Sequence, residues 1–172
     1  FLLAKKTQKN FTSCVKYVKI IDLLHLKKIQ MGENLEKNSE KFLEKYENYL
    51  ILVGSNHGDL VMSLLNKNSK KLENFKIFSD EKVRVINSIS YIYETQNILI
   101  GLNDGNCIFV KFNPFENLIV EKKDIKIIKI FQKNIKITFI YYQIFKEKNT
   151  NTNNKILFIF SNPIGENLFF LF

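Results

Sequence analysis

Apolar and polar positions along the chain form a pattern that is written twice. Residues 51–66 read ILVGSNHGDLVMSLLN and residues 98–113 read ILIGLNDGNCIFVKFN. In each, an apolar run stops at a glycine, a short polar stretch ends on a second glycine, and another apolar run begins. Gly54 aligns with Gly101, Gly58 with Gly105, Asn56 with Asn103 and Asn66 with Asn113, an offset of 47 positions set by 54 and 101. A looser third copy, ILFIFSNPIGENLFFLF, fills residues 156–172, with Asn162 and Gly165 where the turn should fall and Pro163 beside them. Each copy predicts strand, tight turn, strand. Asp104-Gly105 is a strong hairpin signal because both residues tolerate positive φ, and His57-Gly58 fills the same slots. The runs YLILVG and NILIG are apolar on consecutive positions, which predicts strands covered on both faces.

Further strands are expected on either side of the hairpins. CVKYVKII (14–21), VRVINSISYIY (83–93) and IKITFIYYQIF (135–145) precede them, while LENFKIF (72–78) and NLIVEKK (117–123) follow the first two. DIKIIKIF (124–131) is ambiguous between an extension of the second unit's outer strand and the opening of the third unit. Each period thus holds about four short strands, which gives three units at about 11–80, 81–124 and 125–172. Two insertions interrupt the period. In residues 22–48, Leu35, Phe42, Leu43 and Tyr46 approximate helical spacing among acidic residues and lysines, predicting a short amphipathic helix or a partly ordered loop. KEKNTNTNNK (146–155) is polar and of low complexity, and predicts a flexible loop.

A strand, then ILIGLNDGNCIFVKF, then an outer strand, repeated every forty-odd residues, resembles the WD40-type β-propeller repeat. The resemblance covers most of the chain outside the insertions. It departs from the family in having no tryptophan, so the Trp-Asp pair is missing; Lys111-Phe112 and Leu64-Leu65 stand near its place, and no Gly-His opens a unit. What the resemblance implies is an all-β fold, a partial β-propeller of four-stranded antiparallel blades in degenerate form, acting as a scaffold. Propellers usually close with four or more blades. The remaining blades are therefore expected in a longer parent chain or a partner, in keeping with a chain that opens on Phe1 and closes on an apolar run.

Composition changes this picture little. The net charge is +9, but Arg84 is the only arginine among 26 basic residues. The planar guanidinium fork is what reads phosphate and guanine edges best, whereas lysine offers point-charge attraction. The densest lysines, Lys122, Lys123, Lys126 and Lys129, divide between two faces of a strand. Cys14 and Cys107 lie far apart in strand-like runs, with neither disulfide nor zinc spacing, and read as buried apolar side chains of a reducing compartment. No apolar run approaches the roughly 18 residues of a membrane helix, so membrane insertion is not expected.

No phosphate-cradling loop, dinucleotide fingerprint, metalloprotease helix or nucleophile elbow is present. His57 and Asp59 form the nearest approach to an acid–base couple, and Asp104 with Asn103 and Asn106 the nearest to a calcium loop, yet both sets make good sense as turn residues. Most of the 16 phenylalanines and 7 tyrosines lie inside apolar runs, where core is the expected role rather than base stacking. Neither enzyme activity, cofactor nor metal is expected. The expected function is a protein–protein interaction scaffold in a larger intracellular complex, cytoplasmic or nuclear, binding other protein subunits. The alternative is a nucleic-acid-binding propeller subunit using the lysine-rich surface. Partner contacts are expected at Leu35, Phe42, Leu43 and Tyr46 and at the turn residues His57, Asp59, Asp104 and Asn106, with Gly54, Gly58, Gly101 and Gly105 as structural turns.

Overall fold

The structure, a computed structural model, describes residues 15–29, 33–116, 120, 124–131, 135–145 and 155–171, with the backbone alone at 33–36. The chain is mostly β and folds into three antiparallel sheets. The first contains β1 (Val15–Asp22), β2 (Tyr46–Ser55), β3 (Asp59–Asn66) and β4 (Leu72–Ser79), paired in that order. The second contains β5 (Ile86–Ile92), β6 (Asn97–Leu102), β7 (Asn106–Lys111) and β8 (Ile125–Lys129), again in order. The third contains β9 (Phe139–Phe145), β10 (Lys155–Ser161) and β11 (Asn167–Leu171). Every expected hairpin is present. The third sheet has three strands rather than four among the described residues.

Two boundaries differ from the sequence reading. β8 hydrogen-bonds to β7, so residues 125–129 belong to the second sheet, the outer-strand place that the sequence offered, and the unit boundary drawn at 124/125 falls after them. Alternating Ile and Lys gave that stretch no preference for either neighbour; pairing beside β7 decides it. The expected outer strand at 117–123 lies outside the described residues except for Val120, which packs on the core. So do Cys14, Lys122, Lys123, the side chain of Leu35 and loop residues 146–154. The first insertion is helical and shorter than expected: α1 (Leu23–Ile29) and α2 (Glu33–Lys45) run straight into β2 at Tyr46.

The first two turns show why the repeat carries its glycines. Gly58 and Gly105 adopt φ of 77° and 80°, the left-handed region where a Cβ is penalised. Asp104 does not need positive φ; the turn is a three-residue loop whose last residue alone is left-handed. Gly54 and Gly101 serve a different purpose. A Cβ on Gly54 would lie 2.5 Å from Ile86 Cγ2 on β5, and one on Gly101 would run first into Ser88 Oγ of its own sheet and then lie 2.8 Å from Ile137 Cγ2 just before β9. The same position in two sheets is therefore pressed against the start of the following sheet.

These close approaches fix how the sheets stack. β1 touches β5 and β5 touches β9, while β2 also meets β5 and β6 meets β9. First strands lie side by side, and each sheet lays one face on the next. A large apolar cluster fills the space between the first two sheets, with Leu50, Leu52, Leu60, Met62 and Leu64 meeting Ile89, Tyr91, Ile98 and Ile100. A smaller cluster of Ile92, Leu99, Cys107, Ile137, Phe158 and Phe160 joins the second sheet to the third. The all-β arrangement of antiparallel sheets is compatible with a β-propeller-like architecture, and the three sheets do not close on themselves.

Candidate functional site

The helical insertion turns its apolar side onto the chain's own core. Asp22 begins it: its Oδ1 accepts the backbone N–H groups of Leu24 and His25, capping the exposed donors of α1. Leu23 and Leu26 are fully buried. Phe42 sits with its ring 4.9 Å from Tyr46 and 5.5 Å, edge-on, from Phe115, and Leu43 packs on the same cluster. Lys67 donates from Nζ to the carbonyl of Leu43, satisfying one of the acceptors left at the end of α2. Tyr46 is buried and donates its hydroxyl to Glu73 at 3.0 Å, with Lys45 over its ring. Phe42, Leu43 and Tyr46, expected as an anchor for a partner, are thus occupied within the chain. Helical spacing marks an apolar face but cannot say which neighbour it meets.

The turn residues are likewise engaged locally. Ser55 Oγ accepts the N–H groups of His57 and Asp59, shaping the first loop. His57 pairs through Nδ1 with Asn56 Oδ1, whereas Asp59 binds Lys76 at 2.7 Å and accepts from Ser79. These contacts turn His57 and Asp59 toward different partners. In the third turn, Asn162 stands three residues before the left-handed Gly165 and accepts the N–H groups of Ile164 and Glu166. It takes the role that Ser55 plays in the first turn. Asn66 and Asn113 do correspond, each accepting N–H groups of the turn that follows its strand.

Asp104 and the lone arginine form the most organised polar group among the described residues. Arg84 is buried in the segment between the first two sheets. It grips Asp80 bidentately, with Nε to Oδ2 and Nη2 to Oδ1 both at 2.8 Å, and reaches Asp104 Oδ2 with Nη1 at 3.1 Å. Asp80 also accepts the N–H of Arg84, and its own N–H donates to the carbonyl of Gly58. One chain of contacts therefore runs from the first hairpin turn through the linker to the second. Burial opposes the charge on Asp80, but hydrogen bonds from Arg84 outweigh it and hold the carboxyl below its ordinary value. Burial likewise opposes the charge on Asp104, and the Asn106 N–H, Arg84 and the Asn106 side chain keep its carboxyl low. The same partners push the Arg84 guanidinium further up, Asp80 foremost. Asp104 and Asn106, expected at a partner-binding turn, thus help to clasp two sheets. The signal in the sequence was a single arginine four residues after an aspartate in a linker, which composition alone marked only as scarcity of guanidinium.

No group of three or more His, Cys, Asp or Glu able to hold a metal ion occurs among the described residues. Cys107 is fully buried, which raises its thiol well above the usual range. A groove of about 340 Å³ lies at the outer edge of the second and third sheets, with Phe109 and Phe158 inside and Asn97, Lys111, Asp124 and Lys126 around it.

Among the described residues, the apolar faces left exposed are those at the two ends of the stack. On the third sheet, the face turned away from the second carries Phe139, Tyr141, Phe145, Phe169 and Leu171, all exposed, with Leu157 and Ile159 between them. On the first sheet, the face turned away from the second carries exposed Val18 and Ile20 beside Ile51 and Val53. Apolar areas of this extent on a protein surface mark places of contact. Sequence reading gave Ile51, Val53 and most of the aromatic positions to the core, since consecutive apolar residues predict a strand covered on both sides without naming what covers it, and left one of Tyr141 and Tyr142 for an exposed face. No protein-family model matches the chain, and no curated protein matches it. Among the described residues no helix is long and apolar enough to cross a membrane.

Proposed function

We propose that this chain is a non-catalytic protein–protein interaction scaffold: three sheets of a degenerate, WD40-like β-propeller that works within a larger intracellular complex. The observation that carries the reading is the open, aromatic-rich face of the third sheet. A sheet face bearing Phe139, Tyr141 and Phe169 in water is costly to leave bare, at about 25 cal/mol for each Å² of apolar surface. The side-by-side first strands and the repeated close approach at Gly54 and Gly101 support the propeller element of the proposal. The turns and the insertion supply the frame, and the end faces supply the contacts.

The basic charge favours this reading over a nucleic-acid partner in one respect. The sole arginine is buried on two aspartates, so its fork is not free to read phosphate. The test is capture of partners from the native source with and without nuclease, read by mass spectrometry. Stoichiometric protein partners that survive nuclease are expected. Their disappearance, together with binding that weakens steeply with salt, would replace the scaffold by a polyanion-binding role.

A further inference from the structure

The two open faces are not equivalent, and the way they differ identifies an occupant. Within the chain, one junction is made twice. The sheet face bearing Gly54 receives the second sheet, and the face bearing Gly101 receives the third. Aligned on the left-handed glycines Gly58, Gly105 and Gly165, the position of Gly54 and Gly101 falls in the third sheet on Ser161, another small residue. Ser161 shares its face with Ile159 and, across the strand pairing, with Phe139, while Phe169 sits opposite Ile159. The open face of the third sheet is therefore of the receiving kind. The open face of the first sheet, with Val18, Ile20, Ile51 and Val53, is of the opposite kind, the one that the second and third sheets present to the sheet before them.

One end of the molecule is thus the complement of the other. We infer that a second copy of this chain covers both faces, head to tail: the third sheet of each copy receives the first sheet of the other. The inference rests on the propeller reading for the assumption that the stack continues to turn about one axis. Under that assumption two copies supply six sheets, a number within the usual range of closed rings. Closure also explains why association stops. A head-to-tail contact makes a ring when the rotation closes and a filament when it does not. Each face measures roughly 15 by 20 Å from strand spacing and rise per residue. A closed pair covers two such faces on each copy, which approaches the ~800 Å² per partner of a stable complex once side-chain relief is included.

The test uses the 172-residue chain in sedimentation and native mass measurements at micromolar concentration. A species of twice the 20.3 kDa chain mass is expected. Phe169→Lys with Leu171→Lys alters only the open face of the third sheet, and Val18→Lys with Ile20→Lys only that of the first. Each double variant retains one sound face of opposite kind. Alone, each should be monomeric, with association weakened at least 100-fold. Mixed, the two should associate 1:1 through the remaining sound faces where neither does alone, more weakly than the parent because one of its two interfaces is lost, a recovery that a folding defect cannot produce. A monomeric wild type, growth into larger or insoluble species, or pairing that survives both double variants would overturn the inference. A monomeric wild type that still retains its nuclease-resistant partners would leave the scaffold reading standing.

Discussion

The junction between the first two sheets and the junction between the last two begin alike and end differently. Both press a small position against the next sheet, Gly54 on Ile86 and Gly101 on Ile137. Both tie the linker back to the left-handed turn glycine: Asp80 N–H donates to the Gly58 carbonyl, and the N–H groups of Ile130 and Phe131 donate to the Gly105 carbonyl. Beyond that shared backbone scheme they diverge. The first junction holds the larger apolar cluster, is covered by α1 and α2, and is clasped by Arg84 on Asp80 and Asp104. Tyr93 adds a tie across it by accepting the N–H of Asp22. The second junction has the smaller cluster, small polar residues Ser88 and Ser90 on the β5 face, and a side-chain tie from Ser88 to the Ile137 carbonyl at 3.3 Å. A repeat can thus preserve backbone geometry while the side chains give each junction its own strength.

The most damaging way to break this difference is to remove the clasp. Arg84→Ala leaves two carboxylates, one of them deeply buried, without their cation, and should cost about 3–5 kcal/mol in denaturant unfolding. A loss under about 1 kcal/mol would mean the clasp does not distinguish the junctions.

Overfilling tests what the junctions share. Gly54→Val and Gly101→Val each drive a side chain into the following sheet and should destabilise by about 1–3 kcal/mol or more. Hydrogen exchange should then show loosening at different places: throughout the first two sheets for Gly54→Val, and chiefly in β9–β11 for Gly101→Val. The same pattern from both variants would make the junctions one cooperative unit.

Acid should act on the first junction selectively. Asp80 and Asp104 both titrate lower in the folded chain than in the unfolded one. Their pairing therefore contributes in full above about pH 4, the ordinary carboxylate value, and is lost as pH falls through the lowered folded values. The stability of the Arg84→Ala variant should fall less steeply over that acid range than that of the parent. Parallel curves would count against the assignment.

The smallest effect is expected at the other junction. Ser88→Ala removes its long hydrogen bond and should cost at most about 1 kcal/mol, seen as faster exchange in β9 with β2 and β3 unchanged.

Much of the frame was legible before any coordinates. Alternating and continuous apolar runs located the hairpins, and the spaced glycines placed their turns, because strand period and positive φ are local properties. The helix in the first insertion was legible for the same reason. Its destination was not: Phe42 and Leu43 read as a free apolar stripe, and only packing beside Phe115 shows that the chain occupies it. The membership of residues 125–129 was equally open, since an Ile/Lys alternation pairs as readily with a strand before it as with one after it. The polar clasp escaped notice because Arg84 and Asp104 are twenty residues apart, and nothing short-range links a linker arginine to a hairpin aspartate.

The sequence by itself determined which segments become strands and where the chain reverses, because each of those depends on a few neighbouring residues. The tertiary structure alone decided which apolar faces meet inside the chain and which stay open at its two ends. Burial depends on what lies across a face, and that partner is set by the order in which whole sheets stack.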